Sequence, residues 1–91
     1  MSLKEGDIII FQHDGQLLVK RIAGVPGDII DLDSLVYMDL REIPKRDHSS
    51  LEVPEDCYFV LGDNTKNSID SRYWEDPFVR KEDIIAKLLL P

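Results

Sequence analysis

The sequence predicts a mostly β domain, and three observations carry that prediction. Its apolar runs are short, they alternate as strands do instead of repeating at helical spacing, and turn-forming residues separate them. Asp7 to Phe11 and Leu17 to Ile22 flank His13-Asp14-Gly15-Gln16, and an Asp-Gly pair between two such runs predicts a hairpin, because glycine accepts positive φ. Gly24-Val25-Pro26-Gly27 then turns the chain. Ile29 to Leu32 and Leu35 to Met38 read as two further short strands, Lys45 to Ser50 as a polar loop, and Cys57 to Leu61 as the next strand. Pro77 to Glu82 reads as a turn and Ile84 to Leu90 as a final, largely buried strand. No internal repeat or linker interrupts the pattern.

Composition narrows the classes of function. At 91 residues the chain makes one small domain with a modest core, since about 60–70% of the unfolded surface is buried at this size. With 43% apolar residues it lies among folded proteins rather than disordered ones. A formal charge of −7 argues against nucleic acid and against electrostatic attachment to anionic lipid, both of which call for clustered Lys and Arg. No run reaches the ~18 apolar residues that span a bilayer, and no secretory signal is present, so the chain reads as soluble. Residues 1–3 read as an expression-vector scar and residues 4–91 as a single β-rich domain. Cys57, the one cysteine, permits no internal disulfide and reads as a small buried hydrophobe.

Two metal-like patterns carry no site. Asp31-Leu32-Asp33-Ser34 with Glu42 fails as a calcium loop, because Leu35 occupies a ligand position and Val36 the position of the turning glycine. His13 and His48 have no companion His or Cys at zinc-ligand spacing. The sequence therefore calls for no metal and no cofactor.

The most informative segment is GDNTKNSIDSR, Gly62 to Arg72, which gathers hydroxyl, carboxylate and guanidinium groups in a stretch too polar for an ordinary core. An exposed loop accounts for it equally well when it is taken alone. A second segment, VKRIAGVPGD at Val19 to Asp28, sets Lys20 inside an apolar strand-like run. Leu18, Lys20 and Ile22 share one face and Leu17, Val19 and Arg21 the other, and alternation alone does not say which is inward. If Lys20 faces inward it is buried, and desolvation then lowers a lysine pKa from about 10.4 by as much as ~3–5 units. A neutral amine beside a serine is a recognised activating pair for nucleophilic attack. The competing reading is a solvated lysine on an edge strand.

Four segments, GDIIIF (Gly6 to Phe11), VKRIAGVPGD, VPEDCYFVLGDN (Val53 to Asn64) and NSIDSRYW (Asn67 to Trp74), occur in the order found in the type I signal peptidases, and the chain resembles that family over most of its length. The resemblance implies a small, barrel-like antiparallel β domain of the kind shared with self-cleaving repressors. It also implies a membrane-anchored bacterial serine endopeptidase with a Ser-Lys dyad, whose catalytic domain lies on the extracytoplasmic face of the plasma membrane. Lys20 matches the family's general base, within Lys-Arg-x-x-Gly-x-Pro-Gly-Asp, and Ser68 matches the serine that orients it. Gly62, Asp63 and Asn64 match the start of the same box; Asp63 is expected to pair with Arg21, and Asp70 with Arg72 across an extended segment. Thr65 stands where the family usually has arginine, which leaves that arginine's contribution open.

The family's nucleophile belongs to a Ser-Met-x-Pro motif before the GDIIIF segment, and only Met1 to Glu5 precede that segment here. The nucleophile and the N-terminal anchor are therefore expected to lie outside this sequence, and the chain alone to be inert. The implied substrates are the signal peptides of exported preproteins, with small residues at the first and third positions before the cut, bound as an added strand. The compact middle of the chain resembles the shorter, Gram-positive-type members. The core of a self-cleaving repressor is a second reading, but it does not account for GDNTKNSIDSR; a non-catalytic β module that binds a partner is a third. Truncation at a strand also predicts self-association, through apolar surface left at Ile8 to Phe11 and Ile84 to Leu90.

Overall fold

A computed structural model of the protein describes residues 2–32, 50–64 and 69–89. The strand read at Leu35 to Met38 lies outside these, as do Thr65 and Ser68. Strands β1 (Ile8–His13) and β2 (Gln16–Gly24) form the expected hairpin, paired antiparallel from Ile8↔Arg21 to His13↔Gln16. Asp14 and Gly15 at its tip have φ of 49° and 78°, the two positive values that a two-residue type I′ turn requires and that suit the right-handed twist of the strands.

The next turn is Val25 to Asp28, one residue later than read from the sequence. The Asp28 N–H donates to the Val25 carbonyl at 3.0 Å, Pro26 sits where its ring presets φ, and Gly27 supplies the positive φ of 91° that a type II turn needs. Gly24 serves another purpose. A Cβ there would lie 2.6 Å from Ile30 Cδ1 and 3.2 Å from Phe59 Cβ, so its hydrogen side chain permits close packing at the end of β2.

Strands β3 (Ile29–Asp31) and β4 (Ser50–Glu52) pair as a separate antiparallel ribbon. β4 was not expected; Ser50 begins a strand instead of ending a loop. β5 (Cys57–Leu61) pairs with β2, and the two-residue β6 (Val79–Arg80) pairs with β5 at Cys57 and Tyr58. A 3-10 turn at Lys81–Asp83 leads into β7 (Ile84–Lys87), which pairs with β1. The segment read as one turn, Pro77 to Glu82, thus contains β6, whose two residues are too few to show alternation.

The main sheet runs β6-β5-β2-β1-β7 and curls into a half-barrel, a mostly antiparallel β fold as expected. β5 separates two apolar clusters. Tyr58 and Val60 join Ile9, Phe11, Ile22, Val79 and Ile84 on one side, while Cys57 and Phe59 join Ile30, Leu32 and Val53 on the other. Burial on both faces explains why CYFVL is apolar without alternation. Leu3 packs against the first cluster, and the Lys87 ammonium donates to the Ser2 carbonyl at 3.0 Å.

The final strand departs from expectation. It ends at Lys87, and of its residues only Ile84 is buried; Ile85 is 53% and Leu89 85% exposed. The β1–β7 register slips between Ile10 and Phe11, which leaves Ile85 as an extra residue outside the ladder.

Candidate active site

β2 lies at the centre of the five-stranded sheet, so Lys20 is on no edge strand. The inward face is Leu18, Lys20 and Ile22: Ile22 is 1% exposed, whereas Leu17 and Val19 on the opposite face are 62% and 54% exposed. Lys20 itself is half-buried rather than buried. The reason is its place in the sheet, since β5 runs beside β2 only as far as Leu61↔Arg21 and stops one residue short of the position facing Lys20.

Arg21 reaches the start of the polar box. Its Nε and Nη2 donate to the two carboxylate oxygens of Asp63 at 2.8 and 3.1 Å, and its Nη1 donates to the Gly6 carbonyl at 2.8 Å. The expected Arg21–Asp63 contact is therefore present as a bidentate pair, and it also ties in the segment leading to β1. These hydrogen bonds hold the Asp63 carboxyl below its ordinary range, outweighing the desolvation that acts in the opposite direction. The same hydrogen bonds raise Arg21. Gly62 is buried, while Asn64 is exposed.

The far end of the box is deeply buried: Asp70 and Ser71 are 0% exposed and Arg72 is 3% exposed. Arg72 grips Asp70 as expected, with Nε donating to Oδ1 at 2.9 Å and Nη2 to Oδ2 at 3.1 Å. The backbone is not the extended segment expected. Residues 71–73 form a turn closed by the Tyr73 N–H donating to the Asp70 carbonyl at 2.9 Å, and Oδ1 also accepts the Arg72 N–H at 3.2 Å. Asp70 Oδ2 further accepts the Gly62 N–H at 3.0 Å. A carboxylate so removed from water is tolerated because Arg72 and Gly62 supply charge and hydrogen bonds together.

Ser71 and Trp74 drew no role from the sequence. Ser71 Oγ accepts the Val60 N–H at 2.9 Å, and the Ser71 N–H donates to the Val60 carbonyl at 3.2 Å. Its one sequence signal is its position between Asp70 and Arg72. Trp74 stacks on His13 with ring centroids 3.8 Å apart and meets Phe11 edge-on at 6.1 Å, which joins the end of the box to β1. On the other side of β5, the buried Cys57 thiol accepts a contact from Arg80 Nη1 at 3.2 Å.

The geometry is that of a curled antiparallel sheet whose central strand carries a lysine on its inner face, with a polar box strapped beside it at Asp63 and Asp70. A sequence model of the family described as signal peptidase, peptidase S26, matches residues 1–50 and 38–91, and the chain belongs to this family of serine endopeptidases. It is 30% identical over 100 residues to the signal peptidase I of Bacillus amyloliquefaciens, covering 89% of this chain and 54% of that protein. It is 32% identical over 97 residues to signal peptidase I S of Bacillus subtilis (strain 168), covering 85% and 53% respectively. A crystal structure of a signal peptidase I from Enterococcus faecalis V583 superposes with a TM-score of 0.69 at 30% identity, covering 98% of each chain. The chain spans about half the length of the curated relatives it matches. Among the described residues no helix is long and apolar enough to cross a membrane.

Proposed function

We propose that this chain is the lysine-bearing part of a signal peptidase I that cleaves signal peptides from exported preproteins, with Lys20 as general base and Ser68 as the residue that orients it. The observation that carries this reading is the placement of Lys20 on the inner face of the central strand, next to an arginine that the box holds through Asp63. The nucleophilic serine comes from outside these 91 residues, among which no Ser-Met-x-Pro motif occurs. In the reaction, Lys20 Nζ takes the serine proton as Oγ bonds to the scissile carbonyl carbon. The peptide C–N bond breaks as the leaving amine takes up that proton, and Lys20 then activates water against the acyl-enzyme. Arg21, Asp63, Asp70 and Arg72 hold the lysine strand and the box in register, and Gly62 and Asn64 belong to the same frame. The parent enzyme is held at the extracytoplasmic face of the bacterial plasma membrane by an N-terminal anchor.

Kinetics on the full-length enzyme test this reading. Lys20→Met should abolish turnover and leave the fold intact, and Ser68→Ala should lower turnover far more than stability, because a misplaced base loses its near-attack geometry. The 91-residue chain alone should not cleave a signal-peptide substrate. Near-normal turnover by the Lys20→Met enzyme would remove Lys20 from the mechanism, and cleavage by the isolated chain would place the nucleophile within it.

A further inference from the structure

Ser71 completes an edge of β5 that no strand covers among the described residues. β6 pairs with β5 at Cys57 and Tyr58. Beyond that point the Val60 N–H and carbonyl both point away from β2, and Ser71 takes both, with its hydroxyl oxygen on the N–H and its own N–H on the carbonyl. Two residues further along the same edge, the Gly62 N–H is taken by the side chain of Asp70. Backbone groups two apart on a strand point the same way, so Asp70 and Ser71 together stand where a neighbouring strand would be.

This edge is back to back with the lysine. Val60 faces Ile22 across the β2–β5 pair and Leu61 faces Arg21. Continued by one residue past the end of β5, the register sets Gly62 across from Lys20. The β5 backbone alongside the lysine's strand is thus held from its other edge by Ser71 at Val60 and by Asp70 at Gly62. Asp70 is independently held by Arg72, whereas the Val60 anchor rests on Ser71.

We infer that Ser71 is a positioning residue for Lys20, acting through the β5 backbone from Val60 to Gly62. The inference rests on the reading of Lys20 as general base, but its first test does not. In the 91-residue chain, Ser71→Ala removes the acceptor, and Ser71→Cys keeps a weaker one at similar volume, which protects the experiment against a variant that fails to fold. With lysine labelled at its side-chain carbons, the Lys20 titration midpoint should move by more than half a unit in Ser71→Ala and by less in Ser71→Cys. Lys81, in the 3-10 turn, should not respond. Amide exchange at Val60 and Gly62 should accelerate about tenfold in Ser71→Ala, the factor for a loss of ~1.4 kcal/mol in local opening. In the full-length enzyme, kcat should fall at least tenfold with KM within twofold, and the pH–rate profile should move with the Lys20 midpoint. A Lys20 midpoint that stays in place in both variants, even with a lowered melting temperature, would overturn the inference and leave Ser71 a tether of the fold alone. Retained turnover in Lys20→Met would instead overturn the functional reading, without touching the labelled-lysine result.

Discussion

Arg21 and Asp63 lie 42 residues apart in the chain and meet through two hydrogen bonds of 2.8 and 3.1 Å, while the third arm of the same guanidinium holds the Gly6 carbonyl. The arginine adjoins Lys20, so the contact fixes the central strand to both the polar box and the segment before β1. Because the pair holds the Asp63 carboxyl below its ordinary 3.8, its contribution to stability is present above that value and is lost as the pH falls through the lowered one. Asp63→Asn should therefore lower stability slightly at neutral pH, as befits an exposed pair, and flatten the acid limb by the same small amount, so that the two stability-against-pH curves converge below about pH 4. Thermal melts from pH 2 to 7 check this; parallel curves for the two proteins would show that the pair does not titrate as described.

Asp70 and Arg72 should behave differently, because both are buried. Asp70→Ala removes the carboxylate that holds two arms of the buried guanidinium and should destabilise the fold by about 3–5 kcal/mol. Replacing both, with Asp70→Leu and Arg72→Met, should cost less than either single change. Urea titration of Asp70→Leu, Arg72→Met and the double variant decides it, and additive losses would show that the residues act independently.

Gly24→Ala should cost about 1–3 kcal/mol through overpacking, since its new methyl group meets Ile30, Phe59 and Val53. The closest contact is the movable Cδ1 of Ile30, so Ile30→Val should recover part of the loss when combined with Gly24→Ala. Denaturation midpoints of the single and double variants measure the recovery. No recovery would place the strain at Phe59 Cβ instead.

The apolar surface available for association matches the one expected at the end of the chain but not at β1. Ile9 and Phe11 are fully buried, and the exposed apolar residues include Leu17 and Val19 on β2, with Ile85 and Leu89 at the end of the chain. A second copy pairing through this face should appear as concentration-dependent sedimentation, and Leu17→Lys with Val19→Lys should abolish it without altering the melting temperature. A strict monomer at high concentration, with no binding of a hydrophobic dye, would rule the association out.

Much of this protein was legible in the sequence because its signals are local. Asp14-Gly15 specifies a two-residue turn by backbone sterics alone, and Pro26-Gly27 another. The alternation in β1 and β2 follows from one face packing on a core, and ordered motifs carried the family. β4 and β6 were not legible, because three and two residues show no periodicity. The end of the final strand was misjudged because Leu88 and Leu89 are apolar but lie beyond the ladder, where nothing in the sequence marks their exposure.

By itself, the sequence determined the β class, the first hairpin, the family and the residue types available for chemistry. Only the tertiary structure decided which face of β2 turns inward, that Lys20 is half-buried on a central strand, that the Asp70–Arg72 pair closes on a turn, and that Ser71 completes the edge of β5. The reason is physical. Turn chemistry and alternation depend on neighbours in the chain, whereas burial and hydrogen-bond partners depend on which strand lies alongside, and the groups that meet Val60 and Gly62 come from 11 and 8 residues further along the chain, respectively.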